Sequence, residues 1–141
     1  MTDWDPNAFN TAIIADMRAN GGKVTSGPLA GSPLLILTTT GARSGEPRMS
    51  VLTYTRDGDA YVVAGSKGGS PTDPHWFNNL KINPDVKVEV EGRSFDAQAS
   101  ISTGKDHDVL WDRHVAALPN FAEYPEKAGR VIPMIRLTPI G

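Results

Sequence analysis

Between Leu34 and Gly65 three extended segments follow one another with only turns between them, and that succession means antiparallel sheet. Leu34-Leu35-Ile36-Leu37-Thr38-Thr39-Thr40 is apolar through its first half and partly β-branched, the pattern of a buried strand. Gly41-Ala42-Arg43-Ser44-Gly45-Glu46-Pro47, with two glycines and a proline, reverses the chain. Arg48 to Arg56 reads as a second strand. Asp57-Gly58-Asp59 is a strong hairpin signal, and Ala60 to Gly65 is a third strand.

Further along, Val86, Val88 and Val90 alternate with Lys87, Glu89 and Glu91, so one face is buried and one is solvated. Glu89 and Glu91 then read as solubilising charge. Gly92-Arg93 turns into a strand from Ser94 to Ser102, Pro119 to Gly129 is irregular, and Val131 to Leu137 is a last strand. Helices are expected in three places. Asp5 to Asn20 carries Phe9, Ile13 and Met17 on one face and ends at Gly21-Gly22. It is a packed helix, a lid or, less well supported by its charge, a membrane-surface anchor. A second helix opens at Asp73-Pro74, a cap followed by a proline suited to a first helical position, and stops at Asn83-Pro84. A third spans Lys105 to Ala117, with Val109, Leu110 and Trp111 inward. The result is a mainly β chain with peripheral helices (α+β). Its roughly six strands favour a closed or partly closed barrel over an immunoglobulin-like sandwich, which the internal helix fits poorly.

The 141 residues suit a single domain, 1–141, with the N-terminal helix at about 5–20. A net charge of −2 gives no sign of a nucleic-acid partner. With no cysteine, disulfides, thiolate metal sites and cysteine nucleophiles are excluded. Apolar runs such as Leu34 to Leu37 are far too short for a membrane span, and Met-Thr-Asp-Trp-Asp-Pro lacks a signal peptide's basic region and apolar run. A cytoplasmic location is expected.

Two loops carry candidate chemistry. Thr40 to Arg48 and Ser66-Lys67-Gly68-Gly69-Ser70 each join small residues to a cation. Glycine lets backbone N–H groups approach an anion, and Arg43, Arg48 and Lys67 offer charge-assisted bonds to phosphate oxygens. If the strands connect as hairpins, both loops share one end of the sheet. The bland alternative is a pair of ordinary turns with solvated cations. In the second helix Trp76, Asn79 and Asn83 share a face, next to Phe77 and Leu80, which face the core. Trp76 and Asn79 either wall and bond a flat aromatic ligand, or are a core tryptophan and an asparagine that holds a loop. His107 and His114, seven apart, read as a solvated or partly packed pair rather than a metal site.

Together, Thr38 to Arg48, Ser66 to Gly69 and Pro74-His75-Trp76-Phe77-Asn78-Asn79-Leu80-Lys81-Ile82-Asn83-Pro84 resemble the deazaflavin-dependent nitroreductase family, F420H2-dependent reductases of the split β-barrel flavin-binding superfamily. The order and spacing of all three blocks match, from about Leu34 to Ser100. The resemblance implies a split β-barrel that holds F420 in a groove. Its phosphate and polyglutamate tail would lie on Arg43, Arg48 and Lys67, with Ser44 and Gly68 in the same loops. The ring would lie against Met49-Ser50-Val51, with Ala64, Gly65 and Ser66 at its edge, and Trp76 and Asn79 take the family's Trp and Asn positions. Where a well-known member carries three tyrosines, this chain has Leu118, Phe121 and Tyr124, which implies a more apolar acceptor pocket.

The implied reaction is hydride transfer from reduced F420 to a lipophilic, electron-poor acceptor: an enone, quinone, lactone or nitro compound. Tyr124 and Ser66 are the candidates for stabilising or protonating the anion formed. Two rivals stand beside it, an FMN-binding oxidoreductase of the same barrel superfamily and a non-catalytic F420 carrier. Monomer and homodimer both fit.

Overall fold

A computed structural model of the chain describes residues 6–24, 33–42, 45–65, 75–123, 129 and 131–140. Its strands are β1 (Leu34–Thr40), β2 (Pro47–Thr53), β3 (Thr55–Asp57), β4 (Ala60–Ala64), β5 (Asp85–Val90), β6 (Arg93–Ile101) and β7 (Met134–Pro139). All strand pairs are antiparallel, in the order β2-β1-β5-β6-β7-β4-β3. The two outermost strands, β2 and β3, are consecutive in the chain and separated only by Tyr54. The sheet must therefore roll until its edges meet, which makes it a split barrel.

This corrects the single strand expected from Arg48 to Arg56. Residues 47–53 pair with β1 and residues 55–57 with β4. One continuous strand cannot keep both partners around so tight a corner, so it changes sheet edge at Tyr54, whose N–H donates to Pro33 O at 3.1 Å. Seven strands result. The expected hairpin at Asp57-Gly58-Asp59 is present, with Gly58 at φ 59°. Glu91-Gly92, both at positive φ, make the two-residue turn from β5 to β6.

The interior follows the period of two along each strand. Leu35, Leu37, Tyr61, Val63, Val86, Val88, Ala97, Ile135 and Leu137 point inward and are buried. Helix α2 (His75–Ile82) ends just before Asn83-Pro84, as expected, and adds Trp76, Phe77 and Leu80 to that core.

Two helices cover the outside. Helix α1 (Pro6–Ala19) lies over β1 and β2, with Ile14 and Met17 buried against Leu34, Ile36 and Val24. The inward face is therefore centred on Ile14 and Met17, with Ile13 at its margin. The helix ends where Gly22 (φ 93°) packs on the β5–β6 turn. A Cβ there would lie 2.7 Å from Glu91 N, so only glycine fits. Glu89 is not merely solvated, because Arg18 grips it at 2.9 and 2.8 Å across 71 positions. Glu91 likewise accepts from the Tyr54 hydroxyl at 3.1 Å.

Helix α3 (Gly104–Ala117) and a 3-10 turn at Pro119–Glu123 cover β4 and β7. Leu110 and Phe121 pack on Val62, Ala64, Ile132 and Met134. Covered on both faces, β4 is buried at every position. Val109 is exposed, contrary to expectation, and the inward pair on α3 is Leu110 and His114. Arg136 of β7 ties the layers together, bonding Asp57 at 2.7 Å and the carboxylate of Asp106.

Candidate active site

Strict antiparallel alternation puts the β1–β2 turn, the exit of β4 and the starts of β5 and β7 at one end of the barrel. Helix α2 caps this end. Its Asn79 accepts the Ala42 N–H at 3.0 Å on Oδ1 and donates from Nδ2 to Thr39 Oγ1 at 3.2 Å. Both side chains are buried. One amide thus fixes the turn to the helix and to β1. The turn is tightened by Gly41 N–H to Glu46 O at 2.8 Å and Gly45 N–H to Gly41 O at 2.9 Å. Gly45 sits at φ 70°, a conformation that glycine accepts without strain.

Arg48 stands in register with Thr39, and Ser50 with Leu37, so both share the face that Asn79 closes. Arg48 is exposed on the rim, 3.6 Å from the Glu46 carboxylate. Met49 and Val51 turn to the other face. Arg18 Nη2 is 3.7 Å from Met49 Sδ, and Val51 packs against the α1 cluster. The run Met49-Ser50-Val51 therefore does not present three side chains to one face; alternation puts Arg48, Ser50 and Leu52 on the inner one.

Ala64 is buried beneath α3, so its methyl also points away from the barrel interior. Gly65 donates its N–H to Pro133 O at 2.9 Å, and a Cβ there would sit 2.8 Å from Pro133 Cγ. Trp76 is 6% exposed, edge-on to Phe77, and plugs the core rather than offering an open wall. Trp76 is thus packed against the core, and Asn79 holds the turn. Phe121, expected in an acceptor pocket, is instead buried edge-on to His114 at 4.6 Å. Leu118 packs at the margin of the same cluster. Arg43, Ser44, Ser66, Lys67, Gly68 and Tyr124 lie outside the described residues.

The two histidines of α3 have unlike surroundings. His114 is fully buried, with Nδ1 2.9 Å from Thr55 Oγ1 and, among the described residues, no partner for Nε2. Burial pushes its pKa down to about 4, since the cation would lose its hydration. His107 sits on a concavity of about 550 Å³ lined also by Phe77, Ser102, Thr103 and Pro133. Its Nε2 is 2.7 Å from Ile132 O, and its Nδ1 is 3.2 Å from Asp108 Oδ1. The seven-residue spacing signalled one helical side, but partners 25 and 59 positions away carry no local signal. Among the described residues no three acidic, histidine or cysteine side chains are grouped as metal ligands.

Comparison with known proteins agrees with this architecture. A family model described as F420H(2)-dependent quinone reductase matches residues 11–139. An F420H(2)-dependent quinone reductase of Mycobacterium tuberculosis is 39% identical over 124 residues, covering 86% of this chain and 83% of that protein. A solved F420-H2 dependent reductase, FDR-A, superposes with a TM-score of 0.69 at 36% identity, over 74% of this chain and 93% of that one. A second structure, described as a domain-swapped dimer, gives 0.72 at 30% identity, over 94% and 99%. With its rolled seven-stranded sheet and a family match across nearly its whole length, the chain belongs to the F420H(2)-dependent quinone reductase family.

Proposed function

We propose that this chain reduces a quinone with reduced F420, bound at the barrel end that α2 caps. The observation that carries the site is the Asn79 bridge, which joins the first glycine-bearing turn to the helix that follows the second. The residues fit the cofactor's chemistry. An exposed cation, Arg48, stands on a pinned rim. The concavity beside Phe77 and Pro133, about 550 Å³, falls in the range of small-molecule sites, roughly 300–1,000 Å³.

Arg43, Arg48 and Lys67 would hold the phosphate and its acidic tail, with Ser44, Ser66 and Gly68 supplying backbone and hydroxyl contacts. When bound, the reduced deazaflavin supplies a hydride, a two-electron reductant. The chain's own work is to hold donor and acceptor at contact distance and to keep water away. Ser50 and the backbone of Ala64 and Gly65 would flank the ring. Trp76 and Asn79 support it from behind, by fixing the rim rather than by stacking. Tyr124 and Ser66 would stabilise the anion formed on the acceptor.

The acceptor is a lipophilic small molecule. No described helix is long and apolar enough to cross a membrane, and a cytoplasmic location suits the reaction. Because one relative is a domain-swapped dimer, light scattering decides between monomer and homodimer.

Fluorescence titration with F420, with FMN in parallel, tests the cofactor. The expected result is saturable F420 binding in the micromolar range or tighter, with weak FMN binding. A preference for FMN would replace the cofactor and keep the barrel. F420 binding with no turnover of any quinone would make the chain a carrier.

A further inference from the structure

The concavity walled by Pro133 and Phe77 borders the proposed cofactor site, and two ionisable groups, His107 and Asp108, line it. Pro133 forms one wall and is in contact with Gly65, and Phe77 of α2 forms another. The concavity therefore borders both elements to which the proposed cofactor site belongs. Its other walls are the start of α3, with Thr103 and His107, and the buried Ser102, whose hydroxyl is already spent on Met134 O at 2.8 Å. The His107 side chain is 15% exposed, which is enough to touch a ligand while its ring stays held.

The hydrogen bonds of His107 define which ring nitrogen can act. Ile132 O is a carbonyl and can only accept, so Nε2 must carry a proton in either charge state. Nδ1 is the nitrogen left for a ligand. Among the described residues Nδ1 meets the carboxylate of Asp108, a side chain 76% exposed that can turn into solvent when another oxygen takes its place. An imidazole in the wall of a concavity, with one nitrogen anchored to the backbone and the other on an exposed side chain that a ligand can displace, is an arrangement suited to a general acid.

We propose that His107 is a catalytic residue that protonates the reduced acceptor, binding a quinone oxygen through Nδ1–H. The proposal rests on the F420 reading above, which supplies the reductant. The quinone gains a hydride and becomes a hydroquinone monoanion while the cofactor is oxidised by two electrons. The Nδ1 proton passes to the oxyanion and completes the hydroquinone. The ring is left neutral, its remaining proton on Nε2 against Ile132 O, and regains the other from solvent.

The test uses the full chain and tetramethyl-1,4-benzoquinone, whose substituted ring resists addition by protein nucleophiles. His107→Gln keeps an N–H donor for Ile132 O but cannot deliver a proton. It is expected to bind F420 as the parent does and to lose kcat by at least about tenfold. His107→Ala should lose as much and regain turnover with added imidazole, which a purely structural role would not allow. A readout that needs no cofactor is the side-chain NMR spectrum of the three histidines. Titrating the quinone into the cofactor-free protein should move the His107 resonances and leave those of buried His114 in place. Parent-like kcat in His107→Gln, or a quinone titration that leaves His107 unmoved, overturns the proposal while F420 binding stands. Failure of the parent itself to bind F420 overturns the cofactor reading instead.

Discussion

The two ends of the barrel are closed by different chemistry. At the end away from the candidate site, Tyr61 is 1% exposed among rings, 5.3 Å from Tyr54 and 5.7 Å from Phe95. The Arg56 guanidinium lies over its face at 4.1 Å, and its hydroxyl accepts from Arg93 at 2.8 Å. Burial and the Glu91 bond push the neighbouring Tyr54 phenol up to about 12. At the site end, closure depends on helix α2 and one buried amide, with an exposed cation on the rim. Aromatic closure maximises buried area. Closure by Asn79 costs buried polar atoms and holds a glycine-bearing turn in place. Stability should therefore concentrate at one end and binding at the other.

The sharpest break of that contrast is Tyr61→Ala. Removing a fully buried aromatic should cost about 4 kcal/mol in denaturant unfolding, with F420 affinity unchanged in whatever fraction folds. A variant that loses the cofactor as steeply as it loses stability would mean that the ends are not separable.

His114 offers a pH test of the flank between the two ends. Its folded pKa, about 4, lies below the ordinary 6.5 because the buried ring resists protonation. The unfolded chain therefore binds the extra proton between those values. Stability is unaffected by this group above pH 6.5, falls as pH drops from 6.5 toward 4, and levels off below. The loss is at most about 3.5 kcal/mol, at about 1.4 kcal/mol per unit. Carboxylates add their own slope at the acid end, so the measurement is the difference between the parent and His114→Gln. The parent's extra slope should appear in that window and nowhere else.

Asn79→Ala is the third test, at the site end. Thr39 and the Ala42 N–H lose their partner, which costs about 1–3 kcal/mol. Because the pinned turn carries Arg43 and precedes Arg48, F420 binding should weaken more than it does in Tyr61→Ala. Calorimetric titration of both variants compares the two ends directly.

Much of this contrast could be read from the residues. Valine alternation at 86–90 gave β5, and Asn83-Pro84 gave the end of α2. The i, i+3 spacing put Trp76 and Asn79 on one side, where both are buried. What could not be read were events that depend on distant chain. Thr53-Tyr54-Thr55 holds three strand-forming residues, and nothing in it marks a change of partner. That break exists only because the rolled sheet must meet itself. Alternation correctly turned Glu89 outward, but could not say that α1 would cross there and convert it from a solvated charge to a latch. The face of β2 that belongs to Arg48 and Ser50 followed only once Leu37 and Thr39 were known to point inward. The histidines differ for the same reason, since one lies under Phe121 and the other beside a concavity.

The smallest effect expected is at that latch. Arg18 and Glu89 form a two-point pair, and the hydrogen bond to Arg18 holds the Glu89 carboxyl below its usual range. The arginine side chain is nonetheless 51% exposed, so water and salt screen the pair. Arg18→Ala should lower global stability by less than about 1 kcal/mol, whereas Met17, 1% exposed one position away, carries the packing of the helix. The consequence should be local instead. Amide exchange in α1 should quicken in Arg18→Ala while the barrel strands keep their protection, because the helix sits on the sheet's outer face and the interior does not depend on it. Exchange quickening equally in β1 and β5 would show that α1 is part of the barrel's closure, and the contrast between two independent ends would then have to include a third element.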